Sequence, residues 1–131
     1  MVKKKKTEQE VATVAEPVAI EETGTEDNIR KTLEEVRNYE GVVGYILRNP
    51  ASAAIDLKDP AKIIDYAILS SATFDASQKY AELFDLGDVR SILVEGKDTK
   101  MLSAAIDENR ISVFMEKSAD TEKILRRLRA S

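Results

Sequence analysis

The stretch that decides the fold runs from Pro60 to Phe84 and reads PAKIIDYAILSSATFDASQKYAELF. Asp59 precedes it as a possible N-cap, proline suits the first helical position, and Gly87 follows as a stop signal. We therefore predict one long helix that ends at Phe84 or Asp85. At 100° per position, an arc of about 160° holds the residues expected to be buried. They are Ile63, Tyr66, Ala67, Leu69, Ser70, Thr73, Phe74, Ser77, Tyr80, Ala81 and Phe84.

This arc is wider than one sheet can cover. A helix that packs on a single sheet needs an apolar stripe of roughly 100°. Ile64 and Ile68 lie outside even the wider arc. The helix is therefore predicted to bury more than one face, and the helix of a second copy is the simplest additional partner. The alternative is a helix covered by its own sheet and loops, with a few exposed apolar residues such as most proteins carry.

A hairpin is predicted upstream of this helix. Val42–Arg48 is rich in β-branched and aromatic residues, the turn signal Asn49-Pro50-Ala51-Ser52 follows, and Ala53–Leu57 reads as the second strand. A first helix precedes the hairpin. It is predicted to begin at Thr25, a good N-cap residue, and to end at Gly41.

Three more strands and a last helix are predicted downstream. The strands are Val89–Glu95, Thr99–Ile106 and Arg110–Glu116, and Asp120 caps a helix that runs to Arg129. The order is then α-β-β-α-β-β-β-α. It predicts an α/β (α+β) domain over residues 25–131, with one five-stranded, mainly antiparallel sheet and helices on both faces.

Residues 1–24 have a different composition from the rest. Large apolar residues are few and scattered there, so the segment is predicted to be a disordered N-terminal tail. Lys3–Lys6 could anchor a membrane surface or a nucleic acid, although acidic residues close behind favour a solvated tail. Val11–Ile20 could add as a short strand to a sheet edge.

The composition excludes several kinds of active site. The chain of 131 residues contains no Cys and no His, which removes disulfides, thiolate nucleophiles, the commonest general base and the commonest metal ligand. No metal, no cofactor and no catalytic residue are therefore expected, and the protein is predicted not to be an enzyme. A net charge of −4 argues against nucleic-acid binding. No apolar run spans a membrane and no secretory signal is evident, so a cytoplasmic location is expected, and the Lys, Glu and Ile content is typical of archaeal or thermophilic proteins.

Motifs for nucleotide binding and hydrolysis are also missing. The chain has neither GxxxxGK[ST] nor GxGxxG, so it is not expected to bind GTP itself. The paired acidic residues fall at turns or helix surfaces, and the serines have no histidine to activate them. Gly44 lies inside a predicted strand, which favours a bulge or close packing by a helix over a ligand that approaches the backbone.

The element order and the segments GVVGYILRNPASAAIDL, VRSILVEG, MLSAAID and RISVFME resemble the roadblock/dynein light-chain family over residues 25–129. One departure is the first turn, where the family commonly has an Asp-Gly pair and this chain has Asn49-Pro50-Ala51-Ser52. The resemblance implies a homodimer or heterodimer in which the middle strands pair into one ten-stranded sheet and the long helices lie side by side. By that likeness, Val89–Glu95 is the pairing strand and Pro60–Phe84 the paired helix.

Several functions follow from the resemblance. Roadblock proteins act as adaptors and regulators of Ras-like GTPases or as subunits of motor and signalling scaffolds, and some bacterial members promote GTP hydrolysis in a partner without an arginine finger. We therefore predict a dimeric module that binds and regulates a small GTPase. A scaffold subunit with no GTPase link, or a small-molecule sensor with a pocket near Gly44 and Tyr45, are the alternatives. The predicted dimer interface is Val89, Ser91, Leu93, Leu69, Thr73 and Tyr80, and the predicted partner-binding residues are Tyr66, Ser70 and Ser77.

Overall fold

A computed structural model of the protein describes residues 24–131 and confirms the order of elements. The predicted disordered tail lies outside the described residues except for Gly24, as do Lys3–Lys6 and the predicted edge strand. The helices and strands are α1 (Gly24–Val36), β1 (Val42–Arg48), β2 (Ala53–Leu57), α2 (Ile63–Phe84), β3 (Ser91–Glu95), β4 (Thr99–Ile106), β5 (Asn109–Glu116) and α3 (Thr121–Arg129). No helix within residues 24–131 is both long enough and apolar enough to cross a membrane.

The five strands form one sheet in the order β2-β1-β5-β4-β3, and every neighbouring pair is antiparallel. The central strand β5 is buried on both faces from Ile111 to Met115, as a strand covered on both sides should be. Helices α1 and α3 cover one face over a core that includes Leu33, Leu102 and Ile124. Helix α2 covers the other face over a smaller cluster built on Ile46, Met101 and Phe114. The prediction of helices on both faces is therefore confirmed.

The helix boundaries differ from the sequence prediction at the end of α1. The helix ends at Val36 and not at Gly41, because the chain turns through residues 37–40 before it enters β1. Gly41 has a φ of 85° and lies against Ala119, where a side chain would clash, so its glycine serves the turn into the strand. The long helix begins with a short 3-10 turn at Pro60–Lys62, capped by the Asp59 carboxylate, and ends at Asp85 in the left-handed region.

Helices α1 and α3 are joined by an ion pair at the surface. Arg127 donates from Nε and Nη2 to the two carboxylate oxygens of Glu35, at 3.0 and 2.9 Å, and Tyr39 donates its hydroxyl proton to the same carboxylate at 2.8 Å. The hydrogen bonds from Arg127 and then from Tyr39 lower the pKa of Glu35 below its usual 4.5. Such a carboxyl stabilises the fold above its unfolded pKa and loses that contribution as the pH falls through its lower folded value.

We expect Glu35→Gln to lower the thermal midpoint near pH 7 by a small amount, since exposed ion pairs contribute little. The difference between the variant and the wild type should shrink as the pH falls from about 5 to below 4, because the wild-type carboxyl then becomes neutral. Thermal unfolding of both proteins across this range measures it. A difference that stays constant with pH would contradict the assignment.

Gly44 occupies a bulge in β1. Its φ is 149°, and the register of β1 against β5 shifts between Val42 and Gly44. A Cβ at this position would overlap the carbonyl oxygen of Asp56 and come within 2.7 Å of the Leu57 Cα. The bulge predicted from the sequence is therefore present, and the backbone that approaches Gly44 belongs to β2 and not to a helix.

We expect Gly44→Ala to reduce the free energy of unfolding by about 2 to 4 kcal/mol, because an unfavourable φ adds to a clash with fixed backbone. Gly87→Ala is the matched control. Gly87 has a φ of 72° with no atom within 4 Å of an added Cβ, so only the backbone cost of about 1 kcal/mol should appear. Urea denaturation of both variants separates the two contributions, and equal losses would contradict the packing argument.

Candidate interaction surface

Helix α2 lies lengthwise on the central strand β5 and runs antiparallel to it. The ring of Tyr66 stacks on Phe114 with centroids 4.3 Å apart, the Ser70 hydroxyl contacts that of Ser112 at 2.6 Å, and the Arg110 guanidinium lies 6.0 Å from the Phe74 ring centre. Four residues of helix advance about 6 Å and two residues of strand about 6.6 Å. Because these two distances are nearly equal, the three contacts stay in step along the helix and the strand. They fix the position of α2 on the sheet.

The buried side of α2 carries hydroxyl groups. The buried residues of this helix are Ser70, Thr73 and Ser77. Ser112 lies between Ser70 and Ser103 and forms hydrogen bonds with both, at 2.6 and 2.8 Å. Ser77 donates to the Phe74 carbonyl oxygen at 2.7 Å. Small hydroxyl residues bring the helix close to the sheet, and none of the large apolar residues of α2 is fully buried within the protomer.

The outward side of α2 carries exposed large apolar residues among charged ones such as Asp75, Lys79 and Glu82. Ile64, Ile68 and Leu83 are 72%, 63% and 75% exposed, and Phe84 is exposed at the end of the helix. Single exposed apolar residues are ordinary, but Ile64 and Ile68 are neighbours four residues apart on one face of the helix, and exposed apolar residues that lie together are of the kind that marks an interaction site. Helix α2 therefore turns hydroxyl residues, with half-buried Tyr66 and Ala67, toward its own sheet and leaves several large apolar residues outside.

One flank of α2 faces the open edge of the sheet. Phe74 and Gln78 line a cavity with the β1–β2 turn, so their flank points toward that turn. Leu69 and Tyr80 lie on the opposite flank at 100° per residue, which turns them toward β4 and β3. They are 39% and 55% exposed, whereas Thr73 beside them is buried.

Strand β3 is a free edge of the sheet within the described residues. It pairs with β4 alone, and its other side presents unpaired backbone amide and carbonyl groups. Leu93, in the middle of the strand, is 45% exposed. Leu93 pairs with Leu102 and Ser91 accepts a hydrogen bond from Arg129, so both side chains lie on the face covered by α3. Val89 is half-buried and precedes the strand.

The structure therefore places the residues predicted for the dimer interface on two opposite faces of the sheet. Leu69 and Tyr80 share the open flank of α2, while Leu93 and Ser91 lie along the same sheet edge on the opposite face. The prediction that they form a dimer interface stays a prediction. Ile64, Ile68, Leu83 and Phe84 were not among those six, although the wheel had already placed Ile64 and Ile68 outside the arc that one sheet could cover.

The three residues predicted to bind a partner are engaged inside the protomer. Tyr66 is half-buried and stacks on Phe114, and the hydroxyls of Ser70 and Ser77 are hydrogen-bonded. Their role in partner binding stays a prediction. The outward residues of α2 are those that a second molecule can reach directly.

The sensor alternative placed a ligand near Gly44 and Tyr45. The backbone of β2 occupies the space beside Gly44, so a ligand has no room there. Tyr45 is half-buried against the core beneath α1 and α3, and its burial, with Asp56 nearby, raises the pKa of its hydroxyl. Within the part of the chain that the structure describes, no cluster of three acidic side chains could hold a metal ion.

Comparison with protein-family models finds no match for this chain. Comparison with curated protein sequences finds none either. Solved structures do match. A roadblock/LC7 domain from Streptomyces avermitilis is 17% identical, with a TM-score of 0.62 over 79% of this chain and 87% of that one.

Two further solved structures are similar as well. The gliding protein MglB from Thermus thermophilus is 15% identical, with a TM-score of 0.64 over 88% of this chain and 91% of that one. MglC from Myxococcus xanthus is 18% identical, with a TM-score of 0.54 over 79% of this chain and 92% of that one. At sequence identities this low, the similarity concerns the fold alone.

Proposed function

Because the chain has the roadblock fold, we propose that it is a dimeric protein-interaction module that binds and regulates a small Ras-like GTPase in the cytoplasm. It acts by binding and not by catalysis. The observation that carries the proposal is helix α2, whose fully buried residues are hydroxyl residues and which leaves Ile64, Ile68 and Leu83 exposed. A second copy and a partner protein would cover that outward surface.

The dimer forms by pairing at the free edge of β3. A two-fold axis at this edge joins two β3 strands antiparallel and gives a continuous ten-stranded sheet. The flank of α2 that carries Leu69 and Tyr80 then faces the same flank of the partner's helix. Helix α2 has 22 residues and is about 33 Å long, so the strand and the helix together can supply the roughly 1,000 Å² that a specific interface requires. The partner copy is this chain or a paralogue.

The GTPase would meet the part of α2 that such a dimer leaves open. Ile64 and Ile68 point away from both the sheet and the open flank, so side-by-side pairing leaves them on the outer surface. The sequence has no phosphate loop, so the nucleotide would belong to the partner. Support for a GTPase as that partner comes from the resemblance to the roadblock family, whose members regulate Ras-like GTPases. Among its structural neighbours, MglB has been solved in a tetrameric arrangement, which favours further assembly through such a surface.

The experiment is a binding assay with the small GTPases of the source organism, each loaded with GDP or with a non-hydrolysable GTP analogue. We expect one of them to bind in a nucleotide-dependent way. Ile68→Glu should weaken this binding more than tenfold while the dimer persists, because it places a charge in the outward apolar surface. Lys97→Glu, at the exposed β3–β4 turn, is the control and should bind as the wild type does.

The alternatives give different results in the same assay. A scaffold subunit with no GTPase link would form the dimer but bind none of the GTPases in either state. That outcome would contradict the regulatory part of the proposal and leave the dimer intact. Binding that is unaffected by Ile68→Glu would contradict the assignment of the outer surface of α2.

A further inference from the structure

We propose that Arg48 and Arg110 form a binding site for an oxyanion, either a phosphate or a carboxylate group. The two residues are directly paired across β1 and β5, and both line a cavity of about 570 Å³ between α2 and the β1–β2 turn. The site lies on the flank of α2 opposite to Leu69 and Tyr80. It stands apart from the dimer and GTPase proposals and does not rest on them.

The pairing of two arginines is unfavourable by itself. Like charges directly opposite on neighbouring strands destabilise a sheet. Among the described residues, no carboxylate lies within 4 Å of either guanidinium, although Asp75 and Glu108 also line the cavity. Two positive charges held together in this way reduce stability. Such an arrangement is expected where a bound anion compensates for the repulsion between them.

The Arg110 side chain is held by its surroundings, and its Nη1 donates to the Asp107 carbonyl oxygen at 3.4 Å. Arg110 lies 6.0 Å from the ring centre of Phe74 on α2, which orients its guanidinium over the cavity. At the same end of the sheet, Asn49 donates from its side-chain amide to the side-chain oxygen of Asn109 at 3.2 Å. The Asn49 side-chain oxygen also accepts from the amides of Ala51 and Ser52, both at 2.9 Å. The strand ends and the turn are thus fixed, and the two arginines project from a rigid frame.

The chemistry of the two guanidinium groups determines which class of ligand can bind. A guanidinium presents several N–H donors in one plane, which match the oxygens of a carboxylate or phosphate with two parallel hydrogen bonds. Two such groups on neighbouring strands can hold one oxyanion between them. The Phe74 ring and Pro50 add apolar surface at the wall of the cavity. A phosphate compound or an acidic peptide segment offers the required group.

The test follows the side-chain Nε–Hε resonances of the arginines in the full chain by nuclear magnetic resonance. Sodium phosphate, or the dipeptide Glu-Glu, replaces sodium chloride at constant ionic strength. We expect the signals of Arg48 and Arg110 to shift to saturation, while that of Arg129 on α3 does not. Arg48→Gln and Arg110→Gln should each weaken binding at least tenfold, and Arg129→Gln should not change it.

Comparison of the two probes identifies the source of the anion. Tighter binding of phosphate assigns the site to a phosphate compound, and tighter binding of the dipeptide assigns it to an acidic segment. Shifts that do not saturate, or that are equal at Arg129, would overturn the site. The thermal midpoint of Arg48→Gln at low ionic strength gives a second criterion. It should equal or exceed that of the wild type because a repulsion is removed, and a clear fall would show that Arg48 supports the fold and would count against a ligand site.

Discussion

The double variant Leu69→Glu/Tyr80→Glu is expected to be a folded monomer, whereas the wild type should show twice the chain mass of 14.6 kDa. Both side chains lie on the open flank of α2 and are partly exposed in the protomer, so glutamates there can reach solvent without disturbing the core. In the dimer the same glutamates would face those of the partner in a desolvated interface. If each of the two substitutions costs the dimer as a whole about 2 kcal/mol, the dissociation constant rises roughly a thousandfold. Sedimentation equilibrium at micromolar concentration measures the change.

The matched control for this variant is Asn38→Glu/Gln78→Glu. It adds the same charge at two exposed positions, one after α1 and the other on the flank of α2 that faces the β1–β2 turn. It should remain a dimer. A wild type that is monomeric at tens of micromolar would remove the basis of the proposed assembly, and equal dissociation of the two double variants would show that net charge, and not the open flank, governs it.

Phe114→Ala is expected to reduce the free energy of unfolding by about 3 to 5 kcal/mol, the range for a large aromatic side chain removed from a core. Phe114 is 0% exposed, and its ring supports Tyr66 at the first turns of α2. Among the described residues, the other buried members of the cluster beneath α2 are Ile46 and Met101, and the half-buried apolar residues around them are held by the sheet and the helix, so the cavity would be filled only in part. Urea denaturation at a fixed protein concentration measures the loss, because the stability of a dimer depends on concentration.

Tyr66→Phe is the control for this prediction. It keeps the stacked ring and removes only the hydroxyl of a half-buried residue, so the loss should stay below about 1 kcal/mol. A small loss for Phe114→Ala would mean that α2 is not held to the sheet through this ring.

The hairpin and the helix order were predictable because their signals are local. The bounds of Val42–Arg48 and Ala53–Leu57 agree with the prediction, since the alternation and the turn between them lie within a few residues. The end of α1 was wrong by several residues because Gly41 serves a turn that leads into β1 and does not cap the helix. The strand order depends on contacts between distant segments, such as β1 with β5, which no local pattern encodes.

The surface of α2 was predictable in part. The wheel showed that its apolar coat is too wide for one sheet, and the residues that the structure buries lie inside the predicted arc. It could not show that Leu69, Tyr80 and Phe84 in the same arc stay exposed. Ser70 and Ser77 fell in the same arc as the large apolar residues, and their burial follows from Ser112 and the close approach to β5. Similarly, the alternating pattern of side chains in Val89–Glu95 could not show on which face of the sheet Leu93 lies, because both sets of alternate residues are apolar enough to belong to a core.

The three linked hydroxyls of Ser70, Ser103 and Ser112 have a consequence for how this protein can diverge. Replacing Ser112 alone would leave the hydroxyls of Ser70 and Ser103 without this hydrogen-bond partner in an apolar setting, which costs about 1 to 3 kcal/mol of stability. Replacing all three serines by alanine removes every group that needs a partner. These positions should therefore change together during evolution. An alignment of close homologues should show all three as serine or threonine, or all three as apolar, with mixed combinations rare.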